Sequence, residues 1–141
     1  MTPDEIRLIR TSWQLVVPIA DDAAALFYGR LFELDPTLRA MFTRTDLREQ
    51  GRKLTQMLAV VVVGLERLDT LLPAVRALGK RHAGYGVRDE HYDTVARALL
   101  WTLGHEHGPD FTPGTLAAWT TAYGLLANVM KAAAAEQQAA A

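Results

Sequence analysis

Apolar residues recur along this chain at helical spacing in successive stretches, and no pair of alternating runs could build a sheet. Ile6, Ile9, Trp13 and Val16/Val17 form the first stripe, which stops at Pro18. Thr2, Pro3 and Glu5 ahead of it have the types of a capping box with proline in the first turn. The second stripe is Ala24, Phe27/Tyr28, Leu31 and Phe32, between a cap at Asp21 or Asp22 and the break at Pro36. Residues 37–45 read as irregular chain or a short turn of helix, with Phe42 its large apolar residue. Asp46 and Glu49 give a second capping pattern, opening a helix over about 47–65 whose face is Leu47, Leu54, Leu58, Val61 and Leu65. The β-branched run 60–63 keeps the helical period and has no partner strand, so it belongs to that helix.

Leu71, Val75, Leu78 and His82 fall at i, i+4, i+7 and i+11 of a fourth helix, ended by Gly84 and Gly86. A fifth, capped by Asp89, turns Tyr92, Val95/Ala96, Leu99/Leu100 and Leu103 inward and stops near Gly108 and Pro109. Thr112 and Pro113 open the sixth, with Leu116, Trp119/Thr120, Tyr123, Ala127 and Met130 as its core residues. From Lys131 onward, alanine and glutamine predict a fraying end. The expectation is an all-α single domain over 1–141, with about six helices, a core over about 4–131 and a tail over 132–141.

Four polar side chains interrupt these stripes. His82 stands where leucine would, as either a satisfied core histidine or a ligand. The Tyr28 phenol needs a partner inside, a backbone carbonyl or a ligand. Gln50 lies on the face of Leu54, four residues away, and either reaches outward or has something to bond. Tyr92 is the fourth. Together they put one strong ligand and a few donors in apolar surroundings, which suits a flat, mostly apolar cofactor whose metal takes one imidazole and leaves the opposite side open. Zinc is a poor candidate, because no inward carboxylate or thiolate joins His82. His105 and His107, two apart on a helix, diverge by roughly 200° and read as a solvated helix end that favours positive charge.

The bulk properties narrow the partners. A chain of 141 residues with 50% hydrophobic and 22% charged residues is globular. A net charge of −1 makes no electrostatic case for nucleic acid or an anionic membrane. There is no cysteine, which excludes disulfides and thiolate chemistry and fits a cytoplasmic setting. The start of the chain lacks the pattern of a signal peptide, and the longest apolar run, 57–65, is far short of a membrane span. Serine, cysteine or paired-carboxylate catalysis lacks its parts. With no heptad pattern or evident apolar patch, a monomer or weak homodimer is expected.

The run Leu26-Phe27-Tyr28-Gly29-Arg30-Leu31-Phe32 with Asp35-Pro36, then Phe42, Gln50 with Leu54, Arg81-His82 and His91-Tyr92, resembles the bacterial single-domain haemoglobins and the globin domain of flavohaemoglobins. The resemblance covers nearly the whole chain. It implies a globin fold around a haem pocket holding haem b (iron protoporphyrin IX), with His82 as proximal iron ligand and Phe42 stacked on the porphyrin. It makes Tyr28 the distal hydroxyl that donates to bound oxygen, with Gln50 at the distal gate and Leu54 beside the sixth coordination site. Leu58, Leu78, Val87 and Val95 would line the haem, Tyr92 would stand on the proximal side, and Lys53 or Arg81 could reach a propionate. The implied ligands are O2, NO and CO.

One departure matters. The glutamate that flavohaemoglobins place eleven residues after the tyrosine matching Tyr123 is Ala134 here, and Glu136 lies about 200° further round the helix. The imidazole then carries less anionic character, which argues against peroxidase-like chemistry more than against ligand binding. Reversible binding of diatomic gases is the leading expectation. A nitric oxide dioxygenase is the alternative and would need a separate reductase, since the chain has no G-x-G-x-x-G loop. A haem-free globin-like sensor or interaction module is a third.

Overall fold

The computed structural model describes residues 1–140 and is helical almost throughout, with six α-helices and no strand among the described residues. α1 (Pro3–Val16) starts as its sequence predicts. Thr2 Oγ1 accepts the Glu5 N–H at 3.1 Å, and the Thr2 N–H donates to Glu5 Oε1 at 2.8 Å. A 3₁₀ turn over Val17–Ile19 leads directly into α2 (Ala20–Leu34), so Ile19 is the N-cap, and Asp21 and Asp22 lie inside the first turn. There they still complement the positive end of the helix.

Of the two readings of residues 37–45, the short turn of helix holds: Pro36–Phe42 is a 3₁₀ segment. Asp35 caps it by accepting the Thr37 N–H at 3.1 Å. α3 (Leu47–Val63) is capped by Asp46, whose carboxylate accepts the Arg48 and Glu49 N–H groups. It ends two residues sooner than the apolar stripe suggested, and a 3₁₀ turn over Leu65–Arg67 follows. α4 (Leu68–Gly84) carries His82, α5 (Asp89–His107) carries Tyr92, and α6 (Pro113–Ala140) closes the fold. The N-cap of α5 is Arg88 rather than Asp89.

α2 packs on α3 and α5, α1 on α6, α3 and α5, and α4 on α6. The main core joins Ile9, Trp13, Phe27, Leu31, Leu99, Leu103 and Trp119. Each such side chain contributes about 1.5–3 kcal/mol when taken out of water. Trp119 Nε1–H donates to Ser12 Oγ at 2.8 Å, which satisfies the one polar atom of a buried indole. Arg10 ties α1 to the end of α3: its guanidinium donates to Val62 O and Val63 O at 3.3 and 3.0 Å and pairs with Glu66 at 2.7 Å. Those carbonyls have no intrahelical donor, so the cation serves as a C-cap supplied from another helix.

A second core, Val75, Tyr92, Ala127 and Met130, joins α4, α5 and α6, with Leu78 and Val87 against it. Here α4 crosses α6 so closely that a Cβ on Gly79 would lie 2.5 Å from Met130 O. Only glycine permits that approach, and it sets the height at which α4 holds His82 three residues on.

Four expectations change. α6 continues as helix through the stretch expected to fray, with Ala133 and Ala134 buried and Arg76 paired with Glu136; Ala141 lies outside the described residues. The tail is stitched down because α4 needs a partner along its length. Leu116 and Thr120 face outward and Thr115, Ala118 and Ala122 inward, because the close crossings of α6 select small residues. Val17, expected with Val16 on the inner stripe, is 52% exposed, because the chain leaves the α1 register in the 3₁₀ turn. His107 is buried rather than solvated.

Candidate functional site

α3 and α4 do not share a packed seam: α3 leans on α2 and α1, and α4 on α6. α3 carries the half-buried apolar residues Leu54 and Leu58, α4 carries Leu78, and α5 carries Val95. Half-buried leucines on two helices that do not pack on each other make the space between α3 and α4 the candidate cleft. The turn after α4 comes up to the 3₁₀ segment. Gly86, at φ +88°, adopts the left-handed conformation that favours glycine, and a Cβ there would stand 3.9 Å from Met41 Cε.

His82 is half-buried in the last turn of α4. Its Nδ1 lies 2.9 Å from Leu78 O. A carbonyl only accepts, so Nδ1 carries the proton, and the Nε2 lone pair of the neutral ring is free to bind a metal. Burial lowers the pKa of His82, aided by the neighbouring Arg81 cation and opposed by the Leu78 carbonyl, which keeps the ring in its ligating form. The chain thus holds one imidazole oriented by its own helix, the arrangement by which a hydrogen bond to one nitrogen sets the other up as a ligand.

The aromatic residues of α2 and the 3₁₀ segment pack together. Tyr28 lies 5.0 Å from Phe27, 6.3 Å from Phe32 and 5.7 Å from Phe42, ring centre to ring centre, and Phe32 and Phe42 are 5.6 Å apart. Most of these contacts are edge-to-face, the favourable geometry for such rings. Tyr28 is buried, and loss of water pushes its phenol up to about 12, with the Gln50 side chain opposing that rise. The hydroxyl therefore keeps its proton and remains a donor. α3 comes near enough for this because Gly51 meets α2: a Cβ there would lie 2.9 Å from Ala24 Cβ and 3.9 Å from the Tyr28 ring.

On the α4 side, Tyr123 Oη donates to Tyr92 O at 2.6 Å. The Tyr92 hydroxyl is buried with no partner, and burial raises its pKa. Lys131 Nζ stands 5.7 Å from the centre of its ring. An unpartnered hydroxyl in an apolar interior costs about 1–3 kcal/mol, a cost the packing around Val75 and Met130 must offset. Lys53 and Arg81 are both exposed. Thus Tyr28 and Phe42 are in contact, Gln50 bears on Tyr28, and Tyr92 and Val87 share a core with Leu78, whose carbonyl holds His82.

Three residues near the site were not singled out as contributors from the sequence. His91 is buried, and its Nδ1 accepts the Arg88 N–H at 2.9 Å, fixing the start of α5. Its place at the third residue of a helix, where a capping side chain reaches back, was the available signal. Tyr85 is 71% exposed beside His82, with ring centres 6.4 Å apart. Gly51 gave no signal, since a contact with another helix leaves no trace in local spacing.

A model of the globin family matches residues 25–130, three quarters of the chain, with Tyr28, Phe42, Gln50, His82, Tyr92 and Tyr123 inside the match. The chain belongs to the globin family. It superposes on a bacterial globin from Campylobacter jejuni with a TM-score of 0.84 at 25% identity, over 96% of this chain and 97% of that one. It also superposes on an engineered carbene transferase made from a Rhodothermus marinus protein described as a nitric oxide dioxygenase. There the TM-score is 0.88 at 27% identity, over 99% and 97% of the two chains. This globin is of the bacterial single-domain kind, and its family is one that carries haem. The residues present fit that group: one neutral imidazole with a free nitrogen, in an apolar cleft, is what an iron already held by a porphyrin requires.

Proposed function

We propose that this globin holds haem b through His82 and reversibly binds oxygen and other diatomic ligands, NO and CO, in the pocket that Tyr28 faces. The haem supplies the iron on which such a ligand is held; everything else is done by side chains of this chain. His82 binds through Nε2, because Nδ1 is committed to Leu78 O. That bond fixes the ring plane and keeps ligation on one nitrogen. Leu54, Leu58, Leu78, Val87 and Val95 supply apolar contact and exclude water. Phe42, packed on Tyr28, keeps the phenol in place.

Tyr28 acts as a donor. Its hydroxyl keeps its proton over the physiological range and is buried, so it meets a ligand that draws negative charge without first shedding bulk water. A hydrogen bond to a charged partner is worth about 1.5–3 kcal/mol. Gln50 bears on the same hydroxyl and can hold it toward the ligand. Lys53 and Arg81 are the cations for the propionates. The absence of cysteine suits a reducing compartment.

The observation that carries this reading is the Nδ1 bond of His82, which leaves a single ligating nitrogen at the cleft. The test is absorption spectroscopy on purified protein in its ferric, ferrous and CO-bound forms, beside His82→Ala. The parent is expected to show a Soret band that shifts with CO, and the variant to lose it. A variant that stays coloured with the same CO spectrum would refute the assignment. A second reading, nitric oxide dioxygenase with an external reductase, is favoured by the likeness to the Rhodothermus protein. Turnover of NO to nitrate with a generic reductase, against NADH alone, distinguishes it.

A further inference from the structure

Residues 85–88 join α4 to α5, and each of their N–H groups is bonded. The Tyr85 N–H donates to Arg81 O and His82 O at 3.1 and 3.0 Å, and the Gly86 N–H to Ala83 O at 3.1 Å. The Val87 N–H donates to His82 O at 3.0 Å. With Gly86 at φ +88°, the last two bonds form a Schellman cap whose anchoring carbonyl belongs to His82. All of these acceptors are backbone carbonyls, so the bonds persist whatever side chains stand there, provided residue 86 takes a positive φ. The fourth N–H is different. Arg88 N–H donates to a side chain, Nδ1 of His91, at 2.9 Å.

His91 is buried, at 7% exposure, in the first turn of α5. Its Nδ1 accepts, so the proton of the neutral ring is on Nε2, the reverse of His82, whose Nδ1 donates. The third residue of a helix commonly reaches back with glutamate or glutamine. An imidazole does so with fewer rotatable bonds to immobilise, which makes the bond stiffer for the same reach. Its neighbour Tyr92 is packed in the second core, against which Leu78 and Val87 lie. The connection is therefore fixed at both ends: Val87 is tied back to the His82 carbonyl, and Arg88 is tied forward to a ring rooted in α5. Only the forward tie depends on the identity of a side chain.

We propose that His91 is a positioning residue for iron ligation: by holding the Arg88 N–H it keeps residues 85–88 in place and so fixes the last turn of α4, on which His82 stands. The inference rests on the haem reading above. His91 touches neither ligand nor iron in this account; it acts through the connection. A cap that served α5 alone would cost stability when removed and leave His82 as it was. A cap that holds the His82 turn must also change how the imidazole binds its metal.

The test compares holoprotein of the parent with His91→Ala, His91→Gln and Thr2→Ala. Thr2→Ala deletes a side-chain capping bond of the same kind at the start of α1. Two measurements are made: the iron–histidine stretching band of the ferrous, ligand-free protein by resonance Raman, and the rate of haem transfer to excess apomyoglobin. His91→Ala should shift or broaden the band and speed haem loss by about fivefold, the equivalent of one N-cap bond. His91→Gln, which keeps an acceptor at the third helical position, should restore both. Thr2→Ala should lose stability in urea and leave both unchanged. Should His91→Ala not fold, His91→Leu, which keeps apolar volume and removes the acceptor, is read by the same two measurements. A variant lacking the acceptor that loses stability as Thr2→Ala does, with the parent's band and haem loss, overturns the positioning role. So does a His91→Gln protein that behaves as the variant without an acceptor. A parent protein without any Soret band overturns the haem reading, and this inference with it.

Discussion

The height of His82 in the cleft depends on a glycine that touches no ligand. A methyl group on Gly79 would lie 2.5 Å from Met130 O, 2.7 Å from Met130 Cα and 3.0 Å from its carbonyl carbon. Comfortable separations are about 3.5–4.0 Å, so Gly79→Ala must push α4 and α6 apart by on the order of 1 Å. The obstacle is helix backbone and cannot swing aside. Overpacking of this kind costs about 1–3 kcal/mol, while alanine returns about 0.5–1 kcal/mol as a better helix former. The net expectation is a loss of about 1–2 kcal/mol. Gly29 provides the opposite case, since it lies within α2 with nothing within 4 Å of its would-be Cβ. Gly29→Ala should gain about 0.5–1 kcal/mol. Urea denaturation of the two haem-loaded variants beside the parent, followed by far-UV circular dichroism, gives both numbers. Equal gains at both positions would refute the close crossing. A second consequence separates local strain from a moved helix: His82 follows Gly79 by three residues, so Gly79→Ala should also weaken haem retention, and Gly29→Ala should not.

Three further outcomes follow from single groups. Tyr28→Phe should release oxygen faster by a factor of about 10–150, the kinetic equivalent of the lost hydrogen bond. An unchanged stopped-flow off-rate would assign the donor role to Gln50 or to water. Tyr92→Phe removes a buried hydroxyl that has no partner and should raise stability by up to about 1–3 kcal/mol; a loss in urea denaturation would show that the hydroxyl is bonded in solution. Burial lowers the pKa of His107, opposed by Asp110, Glu106 and the backbone at Ser12. The unfolded chain therefore takes up this proton first, so stability is intact above about pH 6.5 and falls as the pH drops below it. His107→Gln should lose less stability than the parent between about pH 7 and pH 5, read as the shift in urea midpoint.

Much of this was legible in the sequence because helices write their faces into residue spacing. The stripe Leu71, Val75, Leu78, His82 is local, so it placed His82 inward whatever α4 packs on, and the same holds for Phe27, Tyr28 and Leu31. Caps such as Thr2 and Asp46 are equally local, formed within three residues. Illegible were the features made by two elements meeting. Leu116 and Thr120 have helical spacing and yet face outward, because α6 rotates to bring Thr115, Ala118 and Ala122 against its neighbours. An alanine-rich tail has no apolar stripe of its own. Alanine's own helix propensity favours the helix, and Arg76 paired with Glu136 and the burial of Ala133 and Ala134 hold it against the body of the fold.

The two inward histidines at helix ends show what spacing can and cannot decide. Both His82 and His107 stand in a final helical turn, and burial lowers the pKa of both. Sequence spacing separated them only by neighbourhood, one on a leucine stripe and one in a charged turn, and it sent His107 outward. The hydrogen bonds separate them by chemistry. His82 gives its Nδ1 proton to the carbonyl one turn back and keeps Nε2 free, on a helix that packs on α6 and not on α3. His107 buries an unpartnered Nε2 beneath the α5–α6 connection, among well-packed residues. A free nitrogen beside half-buried apolar residues is available to a ligand, as proposed for His82, whereas a free nitrogen inside a packed corner is a stability cost that grows in acid. The direction of the Nδ1 proton, a detail fixed within four residues of α4, thus does more than the burial of the ring to support the proposed role of His82.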